Sequence, residues 1–139
     1  MSITISSDRA RMDVAFIHHY LAVESYWATN VPRDVVARAL EHSLCFGAFD
    51  GDAQVGFARV ITDYATFAYL ADVFVTPSHR GRGISKEIMS AVMSHPALQG
   101  LRRWHLVTRD AHGLYAQFGF APLDAPERHM MVLRKNAYA

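Results

Sequence analysis

The sequence predicts a domain of the α/β (α+β) class, built on a mixed central sheet with helices on both faces. Three observations carry this. The apolar period is helical over the first third of the chain and changes to that of strands after residue 43. A contiguous apolar strand then runs through a glycine-containing turn into an amphipathic helix, around Val73 to Met89. Beyond it, helix and strand patterns alternate, as crossover connections require.

Ile3 to Ser6 alternates and reads as a first strand. Asp13 is placed to cap a helix reaching about Ser25, with Val14, Ile17 and Leu21 as its buried stripe. The aromatic-rich segment Glu24 to Asn30 closes it. Pro32 suits the first turn of a second helix, to about His42, whose inward residues are Val36, Ala39 and Leu40. Leu44 to Phe49 and Gln54 to Thr62 read as a hairpin, because Asp50-Gly51-Asp52 supplies the positive φ that such turns need. Asp63 to Thr66 turns the chain into a longer strand, Phe67 to Val75. The helix after it ends near His95-Pro96. Arg103 to Thr108 is a further strand, and Asp110 is placed to cap a short helix from Ala111 to Phe118, stopped by Gly119. Phe120 to Leu123 and Met130 to Leu133 read as last strands. The strand ending at Val75 and the one at Trp104 are expected to be parallel, with a ligand crevice at their C-terminal ends.

Length and composition narrow the function. The 139 residues suit a single domain, 1–139. A net charge of +1 argues against broad nucleic-acid binding. Cys45 is the one cysteine, which excludes an internal disulfide and a thiolate metal cluster. No apolar run reaches the ~20 residues of a membrane span. The chain shows neither a basic start followed by an apolar stretch nor a low-complexity tract, so a soluble, cytoplasmic protein with no membrane partner is expected. The eight histidines are scattered, without a His-x-x-x-His pair beside a carboxylate, and no metal is expected.

The turn Arg80-Gly81-Arg82-Gly83-Ile84-Ser85-Lys86 is where the chemistry concentrates. Glycines let a backbone approach a ligand closely. A helix start adds unpaired N–H groups and a positive dipole end, which together suit a phosphate. The turn lacks the Gly-Lys-Ser/Thr of a P-loop and the third glycine of a Rossmann fingerprint.

It resembles instead the Gln/Arg-x-x-Gly-x-Gly/Ala signature of the GNAT superfamily, the acetyl-CoA-dependent N-acetyltransferases. Leu70-Ala71-Asp72-Val73-Phe74-Val75-Thr76-Pro77 looks like that family's fourth strand, and Leu114-Tyr115-Ala116-Gln117-Phe118-Gly119-Phe120 resembles its later Leu-Tyr-x-x-x-Gly-Phe segment. The element order matches the family along nearly the whole chain. Two positions depart: Ser85 stands where Gly or Ala is usual, and Asp110 where Asn is frequent. The resemblance implies a GNAT-like, mostly antiparallel sheet and an N-acetyltransferase that moves acetyl from acetyl-CoA to a primary amine by direct attack. It also leaves open a non-catalytic acyl-CoA sensor of the same fold, and a homodimer.

By the same resemblance, Arg80, Gly81, Arg82, Gly83, Ile84, Ser85 and Lys86 cradle the pyrophosphate, and the backbone of Val73 and Val75 pairs with the pantetheine arm. Tyr115 is the acid for the departing thiolate, since a phenol near pKa 10 keeps its proton at neutral pH; the other reading is a core tyrosine. Asp72, a carboxylate in an apolar strand, is either the general base or a structural, hydrogen-bonded group. Glu24 is the second candidate base and His112 the third. Tyr26, Trp27, Tyr64 and Phe67 are expected at the acceptor pocket, with core filling as the alternative. No cysteine falls in the expected site, so no acetyl-enzyme is expected. The acceptor, small amine or peptide, is not named by the sequence.

Overall fold

The computed structural model describes residues 2–139. Among these the sheet has five strands in the order β1-β2-β3-β4-β5: Ile3–Ser6, Leu44–Asp50, Ala53–Thr62, Phe67–Val75 and Arg103–His105. Neighbours are antiparallel except β4 and β5, which are parallel and meet over only Phe67 to Tyr69. The α-helices among the described residues are α1 Val14–His19, α2 Arg33–Glu41, α3 Ile84–Ser94 and α4 His112–Ala116. No described helix is long and apolar enough to cross a membrane.

Asp13 caps α1, its carboxylate accepting from the Phe16 N–H at 3.1 Å. α1 then widens into a π turn, Tyr20–Glu24, closed by the Ser25 N–H on the Tyr20 carbonyl at 2.9 Å. α2 follows Pro32 directly. Gly51 makes the β2–β3 turn at φ 62°.

Alternation along the strands divides the core in two. On one face Phe46, Ala48, Val55, Ala58, Val60, Ala68 and Leu70 pack with Ile84, Ile88, Met89 and Val92 of α3. On the other, Cys45, Phe57 and Phe74 pack with Ile17, Tyr20 and Leu21 of the first helix and Val36 and Leu40 of α2. α3 comes so close to the sheet that a Cβ at Gly56 would sit 3.1 Å from Ile88 Cδ1 and 3.2 Å from the Phe74 carbonyl. Gly56→Ala is therefore expected to lower unfolding free energy by about 1–3 kcal/mol through overpacking, as a shifted midpoint in urea with an unchanged slope.

Three features differ from the sequence reading. β5 ends at His105, three residues before Thr108, because β4 and β5 part there. α4 is shorter than residues 111–118 and its N-cap position is Ala111, which carries no side-chain cap; Asp110 is not its cap, and the Ala111 N–H donates to the Thr108 hydroxyl at 3.1 Å. Neither Phe120–Leu123 nor Met130–Leu133 joins the sheet. Phe120 is held as a packing group instead, its ring 6.0 Å from Tyr115 and 6.4 Å from Trp104.

Candidate functional site

β4 carries an irregularity that shapes the site. Phe57 lies opposite Phe74 and Arg59 opposite Ala71, so Asp72 and Val73 together oppose Ala58. This is a bulge, with Asp72 in the left-handed region at φ 55°. Strict alternation would aim Asp72 and Val73 to opposite faces. The bulge breaks it, and Ala71, Asp72 and Val73 all line one cavity of about 540 Å³.

That cavity opens where β4 and β5 part. Its other walls are Tyr26, Trp27, Val35, Val36 and Ala39 on one side, and Leu106 to Ala111 with Tyr115 on the other. Asp72 lines it with both oxygens engaged. Trp27 Nε1 donates to Oδ1 at 2.9 Å and Arg59 Nε to Oδ2 at 2.8 Å. Arg59 also donates to Ser43 Oγ at 3.2 Å. The two ionic side chains are only 16% and 12% exposed, which makes this a sheltered ion pair. Tyr26 is anchored too: the Arg109 N–H donates to its hydroxyl at 3.0 Å and the Arg109 guanidinium lies 3.7 Å from its ring centre.

Tyr115 is buried in the wall of this cavity. Burial, with smaller contributions from Tyr26 and Asp110, pushes its phenol up to about 12. A group so shifted keeps its proton at any physiological pH and can only donate there. Tyr69, in the same wall, is also pushed up, first by burial and then by Asp72.

A second cavity, of about 310 Å³, is lined by Val75, His79, Arg80, Gly81, Gly83, Ile84, Ser85, Lys86 and Leu114. Gly81 and Gly83 both hold φ 78°, and a Cβ on either would project into open space, so the turn's floor is clear for a ligand. The first backbone bond of α3 runs from the Glu87 N–H to the Gly83 carbonyl at 3.1 Å, so the N–H groups of Ile84, Ser85 and Lys86 precede it. Ser85 is small enough to leave them accessible. Arg80 lines this cavity and also braces the turn. Its Nε donates to the Val75 carbonyl at 3.0 Å and its Nη2 to the Tyr20 hydroxyl at 2.8 Å. Tyr20 in turn stacks on Phe74, ring centres 3.9 Å apart. The turn is thus braced against β4 and the π turn. The brace occupies the Val75 carbonyl.

The two cavities share their partition. Val73 lines the first and Val75 the second; Tyr115 lines the first and Leu114 the second. A long ligand with an anionic end and a reactive end fits across them. The cradle's open floor, its helix-start donors and the neighbouring proton donor suit a pyrophosphate-bearing thioester. Among the described residues no group of three or more His, Cys, Asp or Glu is placed to hold a metal.

Of the residues expected from sequence, Tyr26, Trp27, Asp72, Val73 and Tyr115 come together at the first cavity and Val75, Arg80, Gly81, Gly83, Ile84, Ser85 and Lys86 at the second. Arg82 sits exposed on the turn between the two glycines. Glu24 is exposed and lines neither cavity. The extra residue of the π turn rotates the residues after it by about 100° around the helix axis. Tyr64 and Phe67 are also outside both: Tyr64 lies in the β3–β4 turn and Phe67 opens β4, at the opposite end of the strand from the cradle. His112 is exposed on α4 and is likewise no part of either lining. Arg59, Tyr69 and Tyr138 line the first cavity as well, and the sequence reading does not include them. Arg59 has a signal, since it and Asp72 are opposite charges isolated in adjacent apolar strands.

Known proteins resemble this chain in sequence and in fold. The family model of the acetyltransferase (GNAT) domain matches residues 41–122. A curated Gibberella zeae protein, named "Putative acetyltransferase FG08082", is 33% identical over 135 residues, covering 81% of this chain and 75% of its own. The crystal structure of the Xanthomonas campestris pv. campestris protein xcc2953, described as belonging to the GNAT family, is 52% identical and superimposes with a TM-score of 0.97, covering 100% of this chain and 98% of its own. A Clostridium acetobutylicum protein solved with acetyl-CoA shares the fold at a TM-score of 0.68 and 14% identity, covering 96% of each chain.

Proposed function

The chain belongs to the GNAT family of acetyltransferases, and on that premise we propose that it transfers acetyl from acetyl-CoA to a primary amine, by direct attack within a ternary complex. The observation that carries the proposal is the shared partition: Leu114 and Tyr115 on one helix, and Val73 and Val75 on one strand, between them face both cavities. A molecule held by its pyrophosphate on Gly81 to Lys86 reaches Tyr115 by running along β4.

Acetyl-CoA, when bound, supplies the electrophilic carbonyl and the thiolate leaving group. The chain supplies the rest. The N–H groups at the start of α3 and the dipole behind them hold the anionic end. The β4 edge beyond the bulge, freed where β5 departs, offers backbone to the pantetheine arm. Tyr115 Oη carries the proton that a departing thiolate needs, and its burial keeps that proton in place until then. Asp72 is proposed as a positioning residue. With Arg59 and Trp27 on its two oxygens, it fixes the indole at the cavity wall and turns its remaining lone pairs to an incoming ammonium. The amine's proton leaves through the open mouth of the cavity. Trp27, Tyr26 and Tyr69 give that amine aromatic faces.

The test is release of free CoA thiol from acetyl-CoA with a panel of primary amines, with product mass measured. Saturable release, with an amine made heavier by one acetyl group in place of a hydrogen, supports transfer. Tight acetyl-CoA binding with no release on any amine overturns it in favour of an acyl-CoA sensor.

A further inference from the structure

The charges that line the first cavity cancel within it. Among the described residues its charged side chains are Arg59, Asp72, Arg109 and Asp110. They stand as two pairs. Arg59 Nε and Asp72 Oδ2 are 2.8 Å apart and sheltered. Arg109 Nη2 and Asp110 Oδ2 are 3.8 Å apart at the rim, 65% and 68% exposed. Each cation thus already faces an anion, and a group approaching Arg59 meets the Asp72 carboxylate beside it. The rest of the wall divides by chemistry. Tyr26, Trp27 and Tyr69 give it aromatic faces. Val31, Val35, Val36 and Ala39, from α2 and the segment before it, give it an aliphatic side.

We infer that this cavity takes, as acceptor, a small monoamine with an apolar body and no carboxylate, an alkyl- or arylalkylamine; the inference rests on the acetyl transfer proposed above. One ammonium is accommodated. Ring faces attract it, and the Asp72 carboxylate keeps lone pairs beyond the two bonds it accepts from Trp27 and Arg59. An α-amino acid carries its carboxylate on the carbon next to the amine, and so brings it against Asp72. Arg59 is already neutralised there, and Arg109, solvated at the rim, is too screened to offset the repulsion. A diamine lays its second ammonium on the aliphatic side, where nothing replaces the lost hydration. A hydrocarbon body gains there with the area that it buries. The volume of about 540 Å³ also has to admit the thioester end, which leaves room for a small molecule.

Two matched pairs of amines isolate the charges. 2-Phenylethylamine and phenylalanine differ by one carboxylate, pentylamine and 1,5-diaminopentane by one ammonium. In the wild type, kcat/KM is expected to be about 10²-fold higher for 2-phenylethylamine than for phenylalanine, and about tenfold higher for pentylamine than for the diamine. Val35→Glu, at a half-buried position of the aliphatic side, supplies the missing counter-charge and is expected to place the diamine ahead of pentylamine. Binding is read apart from turnover in Trp104→Phe, which leaves Trp27 as the one indole. With CoA present, 2-phenylethylamine is expected to change its fluorescence at concentrations about tenfold or more below those that phenylalanine needs. Equal or better turnover of phenylalanine, the diamine or an alanine tripeptide overturns the inference and leaves acetyl transfer standing. Turnover of no amine removes the transfer reading instead, and the order of binding at Trp27 then decides the ligand class: 2-phenylethylamine ahead of phenylalanine upholds it, and the reverse or no difference overturns it.

Discussion

Replacing Tyr115 by phenylalanine is expected to lower kcat by about 10²–10⁴-fold, the usual loss on removing a positioned general acid, with acetyl-CoA binding unchanged. The phenylalanine ring keeps its packing against Phe120, so folding should survive, and the loss falls on the hydroxyl alone. pH then separates a proton donor from a packing group. With the phenol at about 12, kcat of the wild type should show no falling limb from this residue until far above neutral pH. The same shift has a consequence for stability. The folded chain holds this proton more tightly than the unfolded chain, where a tyrosine titrates near 10. Stability from this source is full below pH 10 and is lost as pH rises towards 12, by roughly 3 kcal/mol. Tyr115→Phe should flatten that part of a stability-versus-pH curve. Cys45, pushed up to about 11 by burial, contributes a similar fall that starts nearer pH 9 and remains in the variant. Undiminished turnover in Tyr115→Phe would remove Tyr115 from the mechanism.

Replacing Arg59 by methionine is expected to cost about 3 kcal/mol of unfolding free energy. The cost comes from the carboxylate left without its counter-ion more than from the hydrogen bond removed. Asp72 would remain sheltered at a bulge with the Trp27 indole as its donor, and a buried charge stripped of its counter-ion costs about 3–5 kcal/mol. The lower end applies because the pair retains some exposure. Asparagine tolerates the left-handed backbone of position 72. The double variant Arg59→Met/Asp72→Asn should therefore be less destabilised than the sum of the two single changes. Additive effects in denaturant titrations would show that the pair is not coupled. If Asp72 positions Trp27, the single variant should also raise the KM of the amine more than that of acetyl-CoA.

How much of this is legible in the sequence differs by element. The cradle is readable because contiguous β-branched residues, two glycines and a 3.6-residue period meet within one short stretch, and each has one physical meaning. Asp13 and Gly51 are readable for the same reason, a local rule met locally. β5 reads too long because Leu106, Val107 and Thr108 have strand propensity, and propensity does not know where two strands part. Met130 to Leu133 reads as a strand from its apolar composition, but these residues pair with no strand of the sheet and stay exposed. Glu24 is misplaced by a π turn that no residue between Tyr20 and Ser25 announces. Arg59 escapes notice because its partner is 13 residues away. The pairing depends on β3–β4 register, which can be read only once the hairpin is known.

The bulge at Asp72 also acts as a phase slip. Ahead of it, Ala68 and Leu70 face the α3 side; behind it, Val75 does, while Phe74 faces the other. The inward parity changes from even to odd within one strand. β4 is thus two half-strands in opposite phase, spliced at the cavity. A one-residue deletion at 72 or 73 would leave a more regular ladder and a wrong protein. It would keep Phe74 opposite Phe57 and Val75 opposite Gly56, but remove the extra residue by which Asp72 and Val73 together reach the cavity. Length itself carries information at this point of the chain, independent of which residues fill it.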